Sequence, residues 1–200
     1  LMSPELAPRL AGIERADSVA FDFHKWGQVP YDAGFLMVRD AALHQATFAS
    51  RVAYLHRQPR GLAAGGVWPC DLGIDLSRSF RALKAWFTFK VYGTERLGEV
   101  ILATCRLAAY LAAAVEAEPR LELFAPVSLN IVCFGYRAAD SDRINAAIVA
   151  DLQESGLAAP STTVLKGRLA IRAAIVNHRT TYTDMDILLA AVLDRGAGYT

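Results

Sequence analysis

The chain has 200 residues, 54% of them hydrophobic and 20% charged, and a formal net charge of +1. That is enough apolar material for one sizeable core or two small ones, and so even a charge balance excludes a nucleic-acid-binding surface or an acidic tail. No apolar stretch reaches the roughly 18 residues of a membrane span, and the opening LMSPELAPRLAGIERADS carries charge throughout, without a secretory apolar segment.

The cysteines Cys70, Cys105 and Cys133 are far apart, odd in number and match no metal-ligand spacing. Cys105 and Cys133 read as small buried hydrophobes, and a reducing cytoplasm is the expected compartment. Leu1 stands before Met2, and the chain opens like the middle of a connecting segment. The expectation is a portion of something longer.

In chain order, residues 18–22 and 34–38 read as strands joined by a turn holding Pro30 and Asp32. Residues 41–50 read as a short helix. Residues 57–71, RQPRGLAAGGVWPCD, form a glycine- and proline-rich loop, long enough inside a compact domain to be functional or mobile. A helix is predicted over 77–92, with Ser77, Arg81, Lys84 and Thr88 in a narrow polar stripe, which implies a mostly buried helix. Gly93 suits its end, and Thr94 can cap a second helix running to about 116. That helix carries Leu97, Ile101, Thr104, Leu107, Leu111 and Val115 on one face.

After Pro119 the pattern changes to shorter elements. Strands are predicted at 121–124, 130–134, 164–166 and 169–176. Helices are predicted at 140–154, closed by Gly156, and at 183–193, capped by Thr183. Strands alternating with helices give an α/β or α+β unit. Pro119 marks the expected junction between residues 1–118 and 119–200.

The chemistry concentrates in SVAFDFHKWGQVPYDAGFLMV, residues 18–38. A lysine held between apolar strands is partly desolvated, which favours the neutral amine. Such an amine is a nucleophile that an aldehyde cofactor can trap as a Schiff base. His24 can offer a ring N–H to a phosphate and Ser18 a hydroxyl, and Asp22 is a further polar group at the turn. Read alone, a His-Lys pair is more often the mark of a solvated turn.

The longer stretch ADSVAFDFHKWGQVPYDAGFLMV resembles the lysine segment of the group II pyridoxal-phosphate-dependent amino-acid decarboxylases, with Phe23 where the family usually has proline. DLSRSFRALKAWFTFKVYG resembles the family's Arg-Phe-Arg-x-Leu-Lys-x-Trp helix. GRLAIRAAIVNHRTTYTDMDIL resembles its closing strand and helix. The resemblance implies an α/β fold of the type I pyridoxal-phosphate transferase kind. The chain would supply the back part of the large domain, with a mobile loop at 57–71, plus the C-terminal small α/β domain.

By the same resemblance Lys25 carries pyridoxal 5'-phosphate as a Schiff base, with His24, Ser18 and Asp22 around the cofactor. No metal is implied. The implied substrate is a small molecule, an amino acid, the implied assembly a homodimer with its active site at the interface, and no nucleic acid or membrane is involved. Arg172 sits on a strand face between Ala170 and Ala174, where a guanidinium can hold a carboxylate. It suits either the substrate carboxylate, as the resemblance implies, or a surface ion pair. Arg81 and Lys84, on a buried helix, need partners, either within the fold, at a dimer interface or beside the loop.

The relatives' upstream half supplies an aspartate for the pyridine nitrogen and a histidine that stacks on the ring, and nothing before Ser18 matches either. The 200 residues alone are therefore expected to be inactive. The loop 57–71 also lacks the tyrosine that relatives use to protonate the carbanion, leaving Tyr54, His56, a partner subunit or water. The leading expectation is a decarboxylase; the others are an aldehyde synthase or other lyase on the same fold, and a non-catalytic dimerisation fragment.

Overall fold

The computed structural model describes residues 2–49 and 53–200. Ser50, which the predicted helix 41–50 reaches, lies outside them. The chain forms two compact units, Ala7–Gly93 and Thr94–Thr200, the second including residues 2–6.

The first unit is built on a two-stranded antiparallel ribbon, β1 (Ser18–Asp22) and β2 (Gly34–Val38), in the register Ser18 with Val38 to Asp22 with Gly34. Helix α1 (Ala41–Phe48) follows, its first turn capped by the Asp40 carboxylate, which accepts from the Ala42 and Leu43 amides at 2.8 and 2.9 Å. Such a cap satisfies donors that the helix cannot pair internally.

Helix α2 (Arg81–Tyr92) begins later than residue 77. Residues 77–80 stay irregular, as expected where Ser77 and Ser79 compete for backbone partners. Its burial also corrects the sequence expectation. Thr88 is the buried residue of α2, whereas Phe80, Trp86, Phe87, Val91 and Tyr92 are more than half exposed. Thus the polar stripe of Arg81, Lys84 and Thr88 faces this unit, and the aromatic face has no cover among the described residues. Amphipathicity shows that a helix has two faces; which one a chain covers depends on what packs there.

The second unit has a four-stranded antiparallel sheet in the order β3-β4-β6-β5, from β3 (Leu121–Leu123), β4 (Ile131–Tyr136), β5 (Ser161–Leu165) and β6 (Arg168–Ala174). Helices α3 (Thr94–Ala117), α4 (Ser141–Glu154) and α5 (Tyr182–Tyr199) pack on it. The core holds Leu107, Leu111 and Val115 of α3, Val132 and Phe134 of β4, Ile148 and Leu152 of α4, Ile171 of β6, and Leu188 and Val192 of α5. The predicted face of α3 is thus the buried one. By length and composition α3 could cross a membrane, yet this stripe packs against β3, β4 and α5.

For the same reason the contact boundary falls between Gly93 and Thr94, not near Pro119. The chain begins the unit by crossing α3 at Gly98, where a Cβ would lie 2.2 Å from the Met2 carbonyl oxygen. Helix α5 starts one residue earlier than predicted. Its cap is Thr181, whose amide and hydroxyl both donate to Asp184, at 2.7 and 2.8 Å. The architecture is mixed α/β, with both sheets antiparallel.

Candidate active site

β1 ends at Asp22 and the ladder continues for one more pair, the Phe23 N–H donating to the Ala33 carbonyl at 2.9 Å. Proline could not donate there, so Phe23 makes a ladder bond that a proline at this position would lose. Its ring adds edge contacts to Phe21, Phe35 and Phe89 at 4.5–5.5 Å between centroids. The chain then turns tightly over 23–29, with the Val29 N–H donating back to the Phe23 carbonyl. Gly27 is required by that turn, since a Cβ would lie 2.7 Å from the same carbonyl oxygen. Val29 and Ala33 are each 3% exposed and anchor the two ends.

This turn presents His24 and Lys25. Nδ1 of His24 accepts from the Ala33 N–H at 2.9 Å, and Tyr31 meets the imidazole edge-on at 4.4 Å. A neutral imidazole has one donor and one acceptor nitrogen, so this contact leaves the proton on Nε2. Lys25 departs from the expectation of a desolvated amine. Its side chain is 67% exposed and Nζ lies 2.5 Å from Oδ2 of Asp22. The hydrogen bond from Lys25 holds the Asp22 carboxyl below the usual carboxylate range. Among the described residues of the Ala7–Gly93 unit nothing buries the amine, because the strands flanking it form only a ribbon.

Asp32 is the residue missed in the sequence. Its Oδ2 lies 2.9 Å from Nε of Arg81 and its Oδ1 3.6 Å from Nζ of Lys84, while Arg81 also reaches Asp75 at 3.7 Å. Burial pushes the Asp32 carboxyl up, but its own backbone N–H and the two cations outweigh that and keep it below its ordinary value. The available signal was the pair of cations three apart on one helix face, which needed an acid.

Ser18 shares a face of β1 with Asp22 but stands four residues away, roughly 13 Å along the strand, and is exposed. The structure thus brings Asp22, His24 and Lys25 together and leaves Ser18 at the far end of the ribbon. In the other unit Arg172 is half-buried opposite Cys133 of β4 and Ser161 of β5. Among the described residues no carboxylate pairs with it. Ala170, on the same strand face, is fully buried, so the face is not open on that side. Burial pushes the Cys133 thiol up, with Arg172 opposing. None of the three cysteines is in a disulfide and all are half-buried, so Cys105 and Cys133 are less enclosed than expected.

The loop 57–71 is tied to itself. Arg57 bonds the Gly66 carbonyl and Asp71, and its guanidinium lies 4.4 Å from the centre of the Trp68 ring. Beside it runs an open groove of about 1140 Å³ lined by Tyr54, His56, Trp68, Cys70 and Asp71 among others.

Residues 1–137 match the family model described as the pyridoxal-dependent decarboxylase conserved domain. The chain belongs to the pyridoxal-dependent decarboxylase family. It is 35% identical over 191 residues to an aromatic-L-amino-acid decarboxylase of Bacillus atrophaeus, covering 92% of this chain and 40% of that protein. It is 38% identical over 183 residues to a histidine decarboxylase of Drosophila melanogaster, covering 91% and 21%. The crystal structure of Oryza sativa TDC with PLP and tryptamine superposes with a TM-score of 0.86 at 26% identity, over 98% of this chain and 42% of that one. The chain therefore spans less than half the length of these relatives, and its α/β fold is theirs.

Proposed function

We propose that this chain is the lysine-bearing part of a pyridoxal-phosphate-dependent decarboxylase that releases carbon dioxide from an amino acid. The observation that carries the reading is the turn after β1, where an exposed lysine stands beside a histidine whose Nδ1 is already engaged. That donor set fits an aldehyde that also carries a phosphate. Lys25 would hold the aldehyde carbon and Nε2 of His24 the phosphate, with Asp22 the further member of the site. When bound, pyridoxal phosphate supplies a conjugated ring that accepts the electron pair left as a carboxylate departs.

The chain's own residues account for the rest. An ammonium paired with Asp22 is not a nucleophile, so the pair must open and the amine lose a proton before Lys25 bonds to the aldehyde. Arg172, half-buried and without a carboxylate partner among the described residues, would orient the substrate carboxylate. The loop 57–71 acts as a lid that excludes water. Tyr54 or His56, both lining the groove beside that loop, would return the proton.

In this reading residues 1–118 are the back of the large cofactor-binding domain and 119–200 the small domain, with α3 the last large-domain element even though it packs into the core of Thr94–Thr200. The exposed aromatic face of α2 supports a homodimer, since patches of this kind mark association surfaces. Three cysteines outside disulfides accord with a cytoplasmic location. The absence of tyrosine from residues 57–71 keeps an aldehyde synthase on the same fold as the second reading.

The test is borohydride reduction of this chain after incubation with pyridoxal phosphate, followed by peptide mapping, together with an assay of carbon dioxide released by the full-length parent. Label on Lys25 that Lys25→Ala abolishes, with carbon dioxide formed, is the expected result. Label on Lys25 with oxygen consumed and an aldehyde formed selects the second reading. Label spread over all lysines, or none, overturns both in favour of a non-catalytic dimerisation fragment.

A further inference from the structure

His24 has a ring nitrogen held by a backbone amide, and the residue that fixes this amide is held in turn from α2. The Ala33 N–H belongs to the peptide unit that follows Asp32. The Asp32 carboxylate is paired at 2.9 Å with Arg81 and at 3.6 Å with Lys84. On its other side Ala33 is 3% exposed, and its carbonyl accepts from Phe23, the residue before His24. Both ends of the Ala33 unit therefore converge on residues 23 and 24. The polar stripe of α2, which faces this unit instead of solvent, meets them through Asp32.

We propose that Asp32 is a positioning residue for His24: anchored by Arg81 and Lys84, it aims the Ala33 N–H at Nδ1 and so keeps the imidazole proton on Nε2. The turn then presents an N–H donor beside Lys25 before any ligand arrives. A ring free to exchange tautomers would offer that donor only part of the time, and an anion would have to select the competent fraction. The purpose of the device rests on the reading of His24 as a phosphate ligand; its geometry does not.

The experiment is nitrogen NMR of this chain with ¹⁵N-labelled histidine rings. His24 is assigned by the signal lost in His24→Gln among the chain's 4 histidines. The native chain should give His24 one protonated-type and one unprotonated-type nitrogen, with the proton on Nε2. Asp32→Asn, which keeps the shape and removes the charge, should move the two resonances toward each other as the tautomers mix. Arg81→Lys, which keeps a cation opposite Asp32, should retain most of the native separation. Asp40→Asn, which removes only the cap of α1, should leave it unchanged. Should Asp32→Asn fail to fold, Lys84→Met weakens the same anchor and should give a smaller convergence.

A native His24 with its proton on Nδ1 or averaged over both nitrogens overturns the proposal. So does an Asp32→Asn spectrum identical to the native one. No cofactor is present in this measurement, so it can fail while borohydride labelling of Lys25 succeeds, and the reverse.

Discussion

Asp22 and Lys25 stand three residues apart at the end of β1, with carboxylate and ammonium 2.5 Å from each other and the lysine side chain 67% exposed. An exposed pair of this kind is weak, and its hold on the amine is loose. Asp22→Asn should therefore modestly speed modification of Lys25 by pyridoxal phosphate at neutral pH and low salt. The gain should shrink as ionic strength rises, because surface charges are screened. The measurement is the initial rate of borohydride-trapped label at Lys25. A slower rate in Asp22→Asn would mean that Asp22 assists the bond rather than restraining the amine.

Asn145 joins three elements in the second core. Fully buried on α4, it accepts from the Tyr136 N–H of β4 at 2.9 Å and donates to the Leu169 carbonyl of β6 at 2.8 Å. Asn145→Ala takes a partner from the buried Tyr136 N–H and from the half-buried Leu169 carbonyl, and an unpaired buried group costs about 1–3 kcal/mol. The expected loss is about 2–5 kcal/mol in denaturant unfolding, with faster amide exchange at Tyr136.

Two glycines of α5 should respond in opposite ways to the same substitution. A Cβ on Gly196 would lie 2.3 Å from the Tyr136 ring, whereas Gly198 has nothing within 4 Å. Alanine gains up to about 1 kcal/mol over glycine within a helix. At Gly198, close to the helix end, a gain of a few tenths is expected. At Gly196 overpacking costs about 1–3 kcal/mol, and Tyr136, 5% exposed, has no room to retreat. Thermal melts should show Gly196→Ala below the native protein and Gly198→Ala at or slightly above it.

Glu118 makes part of the unit's acid stability legible. Hydrogen bonds from the Arg120 side chain and amide pull its carboxyl down to about 2 from an ordinary 4.5. A depressed carboxylate contributes stability that is complete above its unfolded value and is lost as pH falls through the folded one. The loss should thus fall between about pH 4.5 and 2. Arg120→Ala should bring the Glu118 titration, followed by carboxyl-carbon NMR, back toward its ordinary value and flatten stability across that window.

The strands and helices were largely legible because their signals are local. The ribbon strands coincide with the predicted 18–22 and 34–38, and α3 shows the predicted buried stripe. The start of α5 was misplaced because Thr181 and Thr183 are both acceptable caps, and only the position of Asp184 three residues after Thr181 distinguishes them. The orientation of α2 was not legible, since a stripe of Arg81, Lys84 and Thr88 does not announce that Asp32 waits on the inner side. At the candidate site His24 and Lys25 were visible as neighbours in sequence. The link from Ala33 to Nδ1 crosses nine residues of turn and could not be read from composition. The exposure of Lys25 was missed for a related reason. Two apolar strands suggest burial, but a ribbon of two strands has no interior.

That ribbon also makes the two units unequal in self-sufficiency. Among the described residues β1 and β2 pair only with each other, so each leaves an outer row of backbone donors and acceptors, and Phe21, Leu36 and Met37 are 44–56% exposed around them. Open strand edges with apolar side chains are templates for adding another strand, and an isolated pair of strands is marginal in water. The Thr94–Thr200 unit, in contrast, closes its own core. Attempts to handle these 200 residues in isolation will therefore be governed by self-association through the ribbon, and a protease would be expected to trim the chain toward Thr94 and stop.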